Sequence, residues 1–285
     1  MQHVMKLKFE HHTKIKLHML SYYLTICAKV HLKGPEKFTY FETHAGDGLA
    51  EFPDGSKQPG SAVIAASSPS RFRCVLAEKE HAGELQKNLR ERVKAIDHVK
   101  IIPGDSNSNI SKILEEVPPH FHSLGFVDPT HPGDLHWSTV RTVGEHKYRY
   151  FQTGEVRVPE LLMNFPIGRI RRNAGWLENP DTKRGQTALL QNDHFFGTTE
   201  WRNLWPNGDL AEFYMKRVMG FGYQDVLYAL VEEIKHNVPL YYLMLFVWQT
   251  KAQQVLPGIA KNLDRWRRED YIRDYYKIHD LAKWV

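Results

Sequence analysis

Tyr40-Phe41-Glu42-Thr43-His44-Ala45-Gly46-Asp47-Gly48 joins an apolar run to an acidic residue and then to two glycines one residue apart. Glycine carries no Cβ and tolerates positive φ, so such a turn at the carboxyl end of a strand lets a nucleotide-like cofactor lie against bare backbone. Acidic side chains also end the next two expected strands, Glu78 in Val75-Leu76-Ala77-Glu78 and Asp105 in Ile101-Ile102-Pro103-Gly104-Asp105. Asp128-Pro129 closes a fourth, Leu124-Gly125-Phe126-Val127. In an open parallel sheet a ligand sits outside the carboxyl ends of the strands, where strand order reverses, so these endings are expected to converge there. The simpler reading makes each a cap for the next helix or turn, as with Asp105 before Ser106-Asn107 or Asp128 before a turn.

Around this stretch, strand-like runs alternate with helical patterns. Apolar positions Ile15, Leu17, Leu20, Tyr23, Leu24, Cys27 and Val30 repeat at helical spacing over 13–31, and further helices are expected over 61–66, 82–95, 107–117 and 135–148. Alternation of this kind predicts a parallel sheet with right-handed crossover helices. A fifth strand, Leu161-Leu162-Met163-Asn164-Phe165, leads into 166–207, a stretch rich in Arg, Asn, Gly and Trp that reads as an irregular substrate-side insertion. After a helix over 209–219 come two apolar runs, 226–231 and 240–249, whose connection has no room for a crossover helix, so they are expected to be antiparallel neighbours. The fold class is therefore α/β: a Rossmann-like methyltransferase sheet, mostly parallel with an antiparallel last strand, plus an insertion after strand 5. The expected organisation is one domain over 1–262 and a charged, aromatic helical appendage over 263–285.

The 285 residues, 42% hydrophobic and 25% charged, suffice for an ordinary buried core. No run approaches the roughly 18 apolar residues of a membrane span, and the first ten residues carry no sustained apolar segment, so neither membrane insertion nor secretion is expected and a cytoplasmic location is. Cys27 and Cys74 are the only cysteines, and the 16 histidines are scattered, with His11-His12 and His120-x-His122 lacking further ligands. Neither a disulfide framework nor a metal site is expected. The formal charge of +5 suits an anionic partner, and the dense basic groups are Arg169-Ile170-Arg171-Arg172 with Lys183-Arg184, and Arg265-Trp266-Arg267-Arg268. Each is either a phosphate contact or a solvated face.

Thr13-x-x-Lys16, Glu42-x-x-Ala45-Gly46-x-Gly48, Gly60-Ser61-Ala62 and Gly104-Asp105-x-Asn107 together resemble the three-Cys-motif partner (TcmP) family. Phe126-Val127-Asp128-Pro129, Asn164-Phe165-Pro166-x-x-x-Ile170-Arg171 and Pro239-Leu240-Tyr241-Tyr242-Leu243 extend the likeness over about residues 11–260. The resemblance implies the fold of S-adenosylmethionine-dependent methyltransferases and a partner protein bearing a three-cysteine motif. On this reading Glu42, Thr43, His44, Ala45, Gly46, Gly48, Glu78, Asp105 and Ser106 contact the cofactor. Gly46 and Gly48 allow close approach, Glu42 or Asp47 holds an ammonium group, Glu78 takes the ribose hydroxyls and Asp105 an adenine amino group. Thr43-His44-Ala45-Gly46 is also similar to a turn of adenine-N6 RNA methyltransferases, whose fourth strand ends in Asp-Pro-Pro-Tyr. There the aspartate and a backbone carbonyl accept from the target amine while the ring stacks on the flipped base. Here Thr130-His131 replaces Pro-Tyr, leaving Trp137 or Phe165 to supply a ring.

Methyl transfer asks the protein for alignment and for a destination for the acceptor's proton. Asp128, Pro129 and His131 are the catalytic candidates, with His131 a possible acid/base because imidazole titrates near neutrality. Asn164, Arg169, Arg171 and Arg172 are the substrate-side candidates, arginine forks matching phosphate geometry. The expected function is a methyltransferase acting on a nucleic acid or a nucleobase-containing substrate. The alternative is an inactive methyltransferase-fold module binding nucleic acid or the three-Cys-motif partner, suggested by Asp47 where that family has proline and by Thr130-His131. A nicotinamide or flavin enzyme needs a third glycine at position 51, where Glu51 stands.

Overall fold

The computed structural model describes residues 12–31, 38–52, 55–68, 72–119, 121–149, 154–233 and 238–248. The appendage over 263–285 and the Arg265-to-Arg268 cluster lie outside the described residues. Five strands run parallel: β1 (Phe38–Glu42), β2 (Arg73–Glu78), β3 (Val99–Pro103), β4 (His122–Val127) and β5 (Glu160–Phe165). Every position of β1 and β5 is buried, as expected of strands covered on both faces. Two more strands, β6 (Asp225–Glu233) and β7 (Val238–Val247), form an antiparallel pair. β7 also lies antiparallel against β5, with Met244 opposite Met163. The sheet order is β6-β7-β5-β4-β1-β2-β3, the arrangement of a Rossmann-like methyltransferase sheet. Its strand order reverses between β1 and β4, which places the carboxyl ends of those strands around a crevice.

Two helical layers cover the sheet. On one face α1 (His12–His31), α2 (Ser61–Ala66) and α3 (Ala82–Arg92) bury Leu20, Tyr23, Ala62, Leu85 and Leu89 against Tyr40, Leu76 and Phe126. On the other, α4 (Ser106–Glu115), α5 (Trp137–Glu145), α6 (Ile167–Ala174), α7 (Lys183–Phe196) and α8 (Leu210–Met219) bury Ile113, Val140, Ile170, Phe196 and Tyr214 against Phe41, Val75 and Met163. Packing at the sheet's centre is tight: a Cβ added at Gly125 would lie 2.4 Å from the Phe41 ring. Among the described residues no helix is long and apolar enough to cross a membrane, and no three His, Cys, Asp or Glu side chains gather as metal ligands.

Two local features differ from expectation. The stretch 166–207 is largely helical rather than irregular, comprising α6, a 3-10 turn at Gly175–Glu178, α7 and a second 3-10 turn at Glu200–Leu204. Thr182 caps α7 by accepting from the Gly185 amide at 3.0 Å, and Gly197 ends it at φ 65°. Phe195, Phe196 and Trp201 are then fully buried, so this stretch is part of the core. Second, the glycine turn runs into a small ribbon, Leu49–Glu51 against Lys57–Pro59, before α2 begins.

Candidate active site

A cavity of about 330 Å³ opens at the carboxyl ends of β1 to β4. The glycine turn forms its back wall and is stitched to both neighbouring strands. The Thr43 amide donates to Phe126 O at 3.2 Å, the Ala45 amide to Ala77 O at 3.0 Å, and the Gly46 amide to Glu78 Oε2 at 2.7 Å. Gly46 (φ 61°) and Gly48 (φ 82°) both occupy the left-handed region, which costs glycine least. A Cβ at Gly46 would meet nothing, whereas one at Gly48 would lie 2.9 Å from Leu85 Cδ1. Gly46, which lines the cavity, is therefore selected by conformation, and Gly48, which packs behind the lining instead of contacting the cavity as expected, by conformation and close packing together.

Glu78 is a turn organiser as well as a wall of the cavity: its Oε1 accepts from the Glu80 and His81 amides at 2.9 and 3.0 Å. Asp105 caps α4, Oδ1 accepting from the Asn107 amide at 2.8 Å, which leaves Oδ2 directed toward Lys79 Nζ at 3.7 Å. Ser106 follows it into the lining. His44 bridges to the loop after β4: Nε2 lies 3.2 Å from Asp134 O and Nδ1 lies 2.7 Å from Thr43 Oγ1. Facing a carbonyl, Nε2 carries a proton and donates to it. Asn107 Nδ2 donates to the same Asp134 carbonyl at 2.9 Å, fixing the loop over the cavity mouth.

Asp128 sits at the other end of the cavity, held on both sides. Lys16 Nζ is 2.5 Å from Oδ2, and Asn164 Nδ2 donates to Oδ1 at 2.9 Å and to Pro129 O at 3.2 Å. Asn164 is thus a brace for Asp128 and Pro129 and does not line the cavity, and neither does Pro129, which is buried behind it. Lys16 does line it, with Thr13 beside it, and was no part of the expected site. Its signal was a lysine within the apolar stripe Ile15-Leu17-Leu20 of α1, where a solvated side chain is out of place.

Several expected contacts lie elsewhere. Glu42 is fully buried behind the cavity wall, Oε1 accepting from Ser61 Oγ at 2.5 Å and Oε2 from the Tyr40 hydroxyl at 2.9 Å. Burial pushes its carboxyl up to about 8 against the pull of those hydroxyls, so near neutrality it is largely protonated and cannot hold an ammonium group as an anion. Asp47 turns to its own chain, Oδ1 accepting from the Leu49 amide at 2.9 Å. His131 is exposed and outside the lining, because the turn Pro132–Asp134 brings Gly133 and Asp134 inward instead. Arg169, Arg171 and Arg172 are exposed on α6, without ion pairs among the described residues, and none reaches the cavity. Phe165 is packed among Phe195, Phe196 and Tyr214, and Trp137 lies on Phe221, so neither supplies a ring. Among the described residues the lining holds no Phe, Tyr or Trp.

Among the described residues, five carboxylates line the cavity (Glu78, Glu80, Asp105, Asp128 and Asp134) against two ammonium groups, Lys16 and Lys79. This sign favours a ligand carrying positive charge.

No family model matches the chain, and no curated protein matches it. Among solved structures, a protein from Legionella pneumophila aligns at 15% identity over 87% of this chain and 90% of that one, with a TM-score of 0.48. The methyltransferase domain of bacterial CtHen1 aligns at 12% identity over 82% and 99%, with a TM-score of 0.41. An O-methyltransferase from Bacillus cereus, in complex with SAH, aligns at 12% identity over 86% and 93%, with a TM-score of 0.37. None of these scores reaches 0.5, so the chemistry has to be argued from this chain's own residues.

Proposed function

We propose that the cavity binds S-adenosylmethionine and that the protein transfers its methyl group to a nucleic acid or a nucleobase-containing acceptor. One observation carries the reading: a glycine turn at positive φ and an excess of carboxylates from three other strand ends line the same 330 Å³. The cofactor bears a sulfonium, an ammonium and one carboxylate, and the residues fit it. The acid surplus matches its two cations, Lys16 or Lys79 matches its carboxylate, Glu78 and Asp105, whose Oδ2 is held only loosely by Lys79 at 3.7 Å, offer acceptors for hydroxyl and amino groups, and Gly46 leaves room for backbone contact. When bound, the cofactor supplies an activated methyl group. The chain's work is then alignment and hydrogen bonding of the acceptor, for which Asp128 lines the cavity, braced by Asn164. A dinucleotide fits poorly: its pyrophosphate would face the acid surplus, and the glycine turn leads into a ribbon instead of the helix start that such an anion needs.

A second reading, a binding module without turnover, draws on one feature. Both Asp128 oxygens already have partners, Lys16 on Oδ2 and Asn164 on Oδ1. Such a module would bind nucleic acid or a three-Cys-motif partner protein. Calorimetry of the full chain with S-adenosylmethionine and with its demethylated product separates the two. Micromolar binding of either is expected; heats indistinguishable from buffer with both would overturn the enzyme reading and leave the module.

A further inference from the structure

A second cavity of about 450 Å³ lies between the first turn of α5 and the last turn of α7. It lies near the first: Asp134 lines one and His136 the other, and two residues of chain span at most about 7 Å. Its chemistry is opposite in sign. Asp193, the one carboxylate in its lining among the described residues, is already matched, accepting from Arg202 Nε at 3.2 Å, Arg202 Nη2 at 2.5 Å and Trp201 Nε1 at 2.9 Å. Arg141 is exposed there with no ion pair among the described residues. The imidazoles of His136 and His194 face each other with ring centroids 4.9 Å apart, and neither has a hydrogen bond among the described residues. The Ser138 hydroxyl and the Trp137 and Ser138 amides, which precede the first amides of α5 bonded to His136 O, add further donors.

The floor is rigid. Gly197 sits so close that a Cβ there would be 2.4 Å from the Trp137 ring, which is stacked on Phe221 at 5.6 Å with Arg217 over it at 4.4 Å. Arg141 and the imidazoles are therefore presented from fixed backbone, with an excess of donors and no unmatched acid among the described residues. That is a seat for an anion with several oxygens, one chain-turn away from a cavity that suits a cation.

We propose that this second cavity binds a phosphate group of the methyl acceptor, with Arg141 as its principal charge partner. That the phosphate belongs to the acceptor rests on the methyltransferase reading, whereas the phosphate contact itself does not. The two cavities then sort their ligands by charge, cationic cofactor to one and nucleotide phosphate to the other, and the Thr130-to-Trp137 loop sets the distance between them.

The test is calorimetry of the full chain with AMP, with adenosine and with the demethylated cofactor product, together with fluorescence anisotropy of a labelled single-stranded RNA. Wild type is expected to bind AMP at least about tenfold more tightly than adenosine. Arg141→Gln is expected to erase that difference, Arg141→Lys to keep part of it, and His194→Ala to reduce it, with unchanged circular dichroism and unchanged affinity for the cofactor product. Inorganic phosphate should compete with AMP in wild type. RNA binding tighter than AMP identifies a polynucleotide as the phosphate's source; equal binding identifies a mononucleotide. Equal affinity for AMP and adenosine in wild type, or an AMP preference that survives Arg141→Gln, overturns the proposal. Absence of cofactor-product binding with the AMP preference intact would sink the methyltransferase reading alone.

Discussion

Replacing Glu42 with glutamine is expected to change how stability depends on pH. The wild-type carboxyl is fully buried between Ser61 and Tyr40, and burial, with a smaller push from Asp128, lifts it from about 4.5 to about 8. Because the folded-state value lies above the unfolded one, folding takes up a proton between those two pH values. The contribution is complete below about 4.5 and is lost as pH rises to about 8, at ~1.4 kcal/mol per pH unit. Over the whole window this amounts to on the order of 5 kcal/mol, a large share of a typical domain's stability. Glutamine keeps the shape and an acceptor, and its amide donates to one of the two hydroxyls without titrating. Urea unfolding at several pH values between about 5 and 8 measures the difference. The two proteins should agree within ~1 kcal/mol at the acid end, and Glu42→Gln should be the more stable by several kcal/mol at the alkaline end. A wild-type-minus-variant difference that stays constant across the series would refute this, since it would mean the carboxyl ionises in the fold as it does in the open chain.

Glu78→Ala strips the acceptor from the amides of Gly46, Glu80 and His81, so it is expected to cost roughly 1–3 kcal/mol in unfolding experiments and to weaken the demethylated cofactor product at least about tenfold by calorimetry. Equal affinity in variant and wild type would contradict the placement. Lys16→Met leaves the Asp128 carboxylate, 15% exposed, without its cation and is expected to destabilise by about 3 kcal/mol; adding Asp128→Asn should recover most of that, and a double-mutant cycle reads the coupling. Gly125→Ala forces a methyl group to within 2.4 Å of Phe41 and 2.9 Å of Leu161 Cδ2, an overpacking cost of about 1–3 kcal/mol visible as a lower denaturation midpoint.

The strands were legible because burial on both faces leaves unbroken apolar runs, as in Leu161 to Phe165, and the turn back at β7 was evident from the length of one connection. The helices of 166–207 were not. The inner side of α7 shows only Ala188, Leu189, Phe195 and Phe196 among Arg, Gln, Asn and Asp, and what fixes it is the packing of Phe195 and Phe196 on the distant Phe165 and Tyr214. Strand-end acids expose a further limit of sequence reading. Glu42 and Glu78 both close apolar strands, yet Glu42 shares a face with Tyr40 and is covered by Ser61, whereas Glu78 reaches forward to the glycine turn. Which of two such acids meets the ligand depends on what lies above each, and that is a tertiary fact. Lys16 was hidden for the same reason: α1 is amphipathic by pattern, and only the position of Asp128 across the crevice turns its lysine inward.

Lone pairs decide what Asp128 can do more than proximity does. A carboxylate offers about four acceptor sites and a backbone carbonyl two. Lys16 takes one on Oδ2, and Asn164 takes one on Oδ1 and one on Pro129 O, so Asp128, which lines the cavity, keeps capacity for a further N–H, whereas Pro129 is buried outside the lining. The same bonds restrict the role: with an ammonium on Oδ2 and an amide on Oδ1, the carboxylate is placed to orient a donor. On the proposed reading, then, Asp128 aligns the acceptor's lone pair toward the methyl group, and the proton released after transfer passes to water at the cavity mouth. Asn164 becomes as important as Asp128, because its amide braces that carboxylate. Its Oδ1 is buried and unpartnered among the described residues, so on this reading the amide gives up its own second bond to hold Asp128.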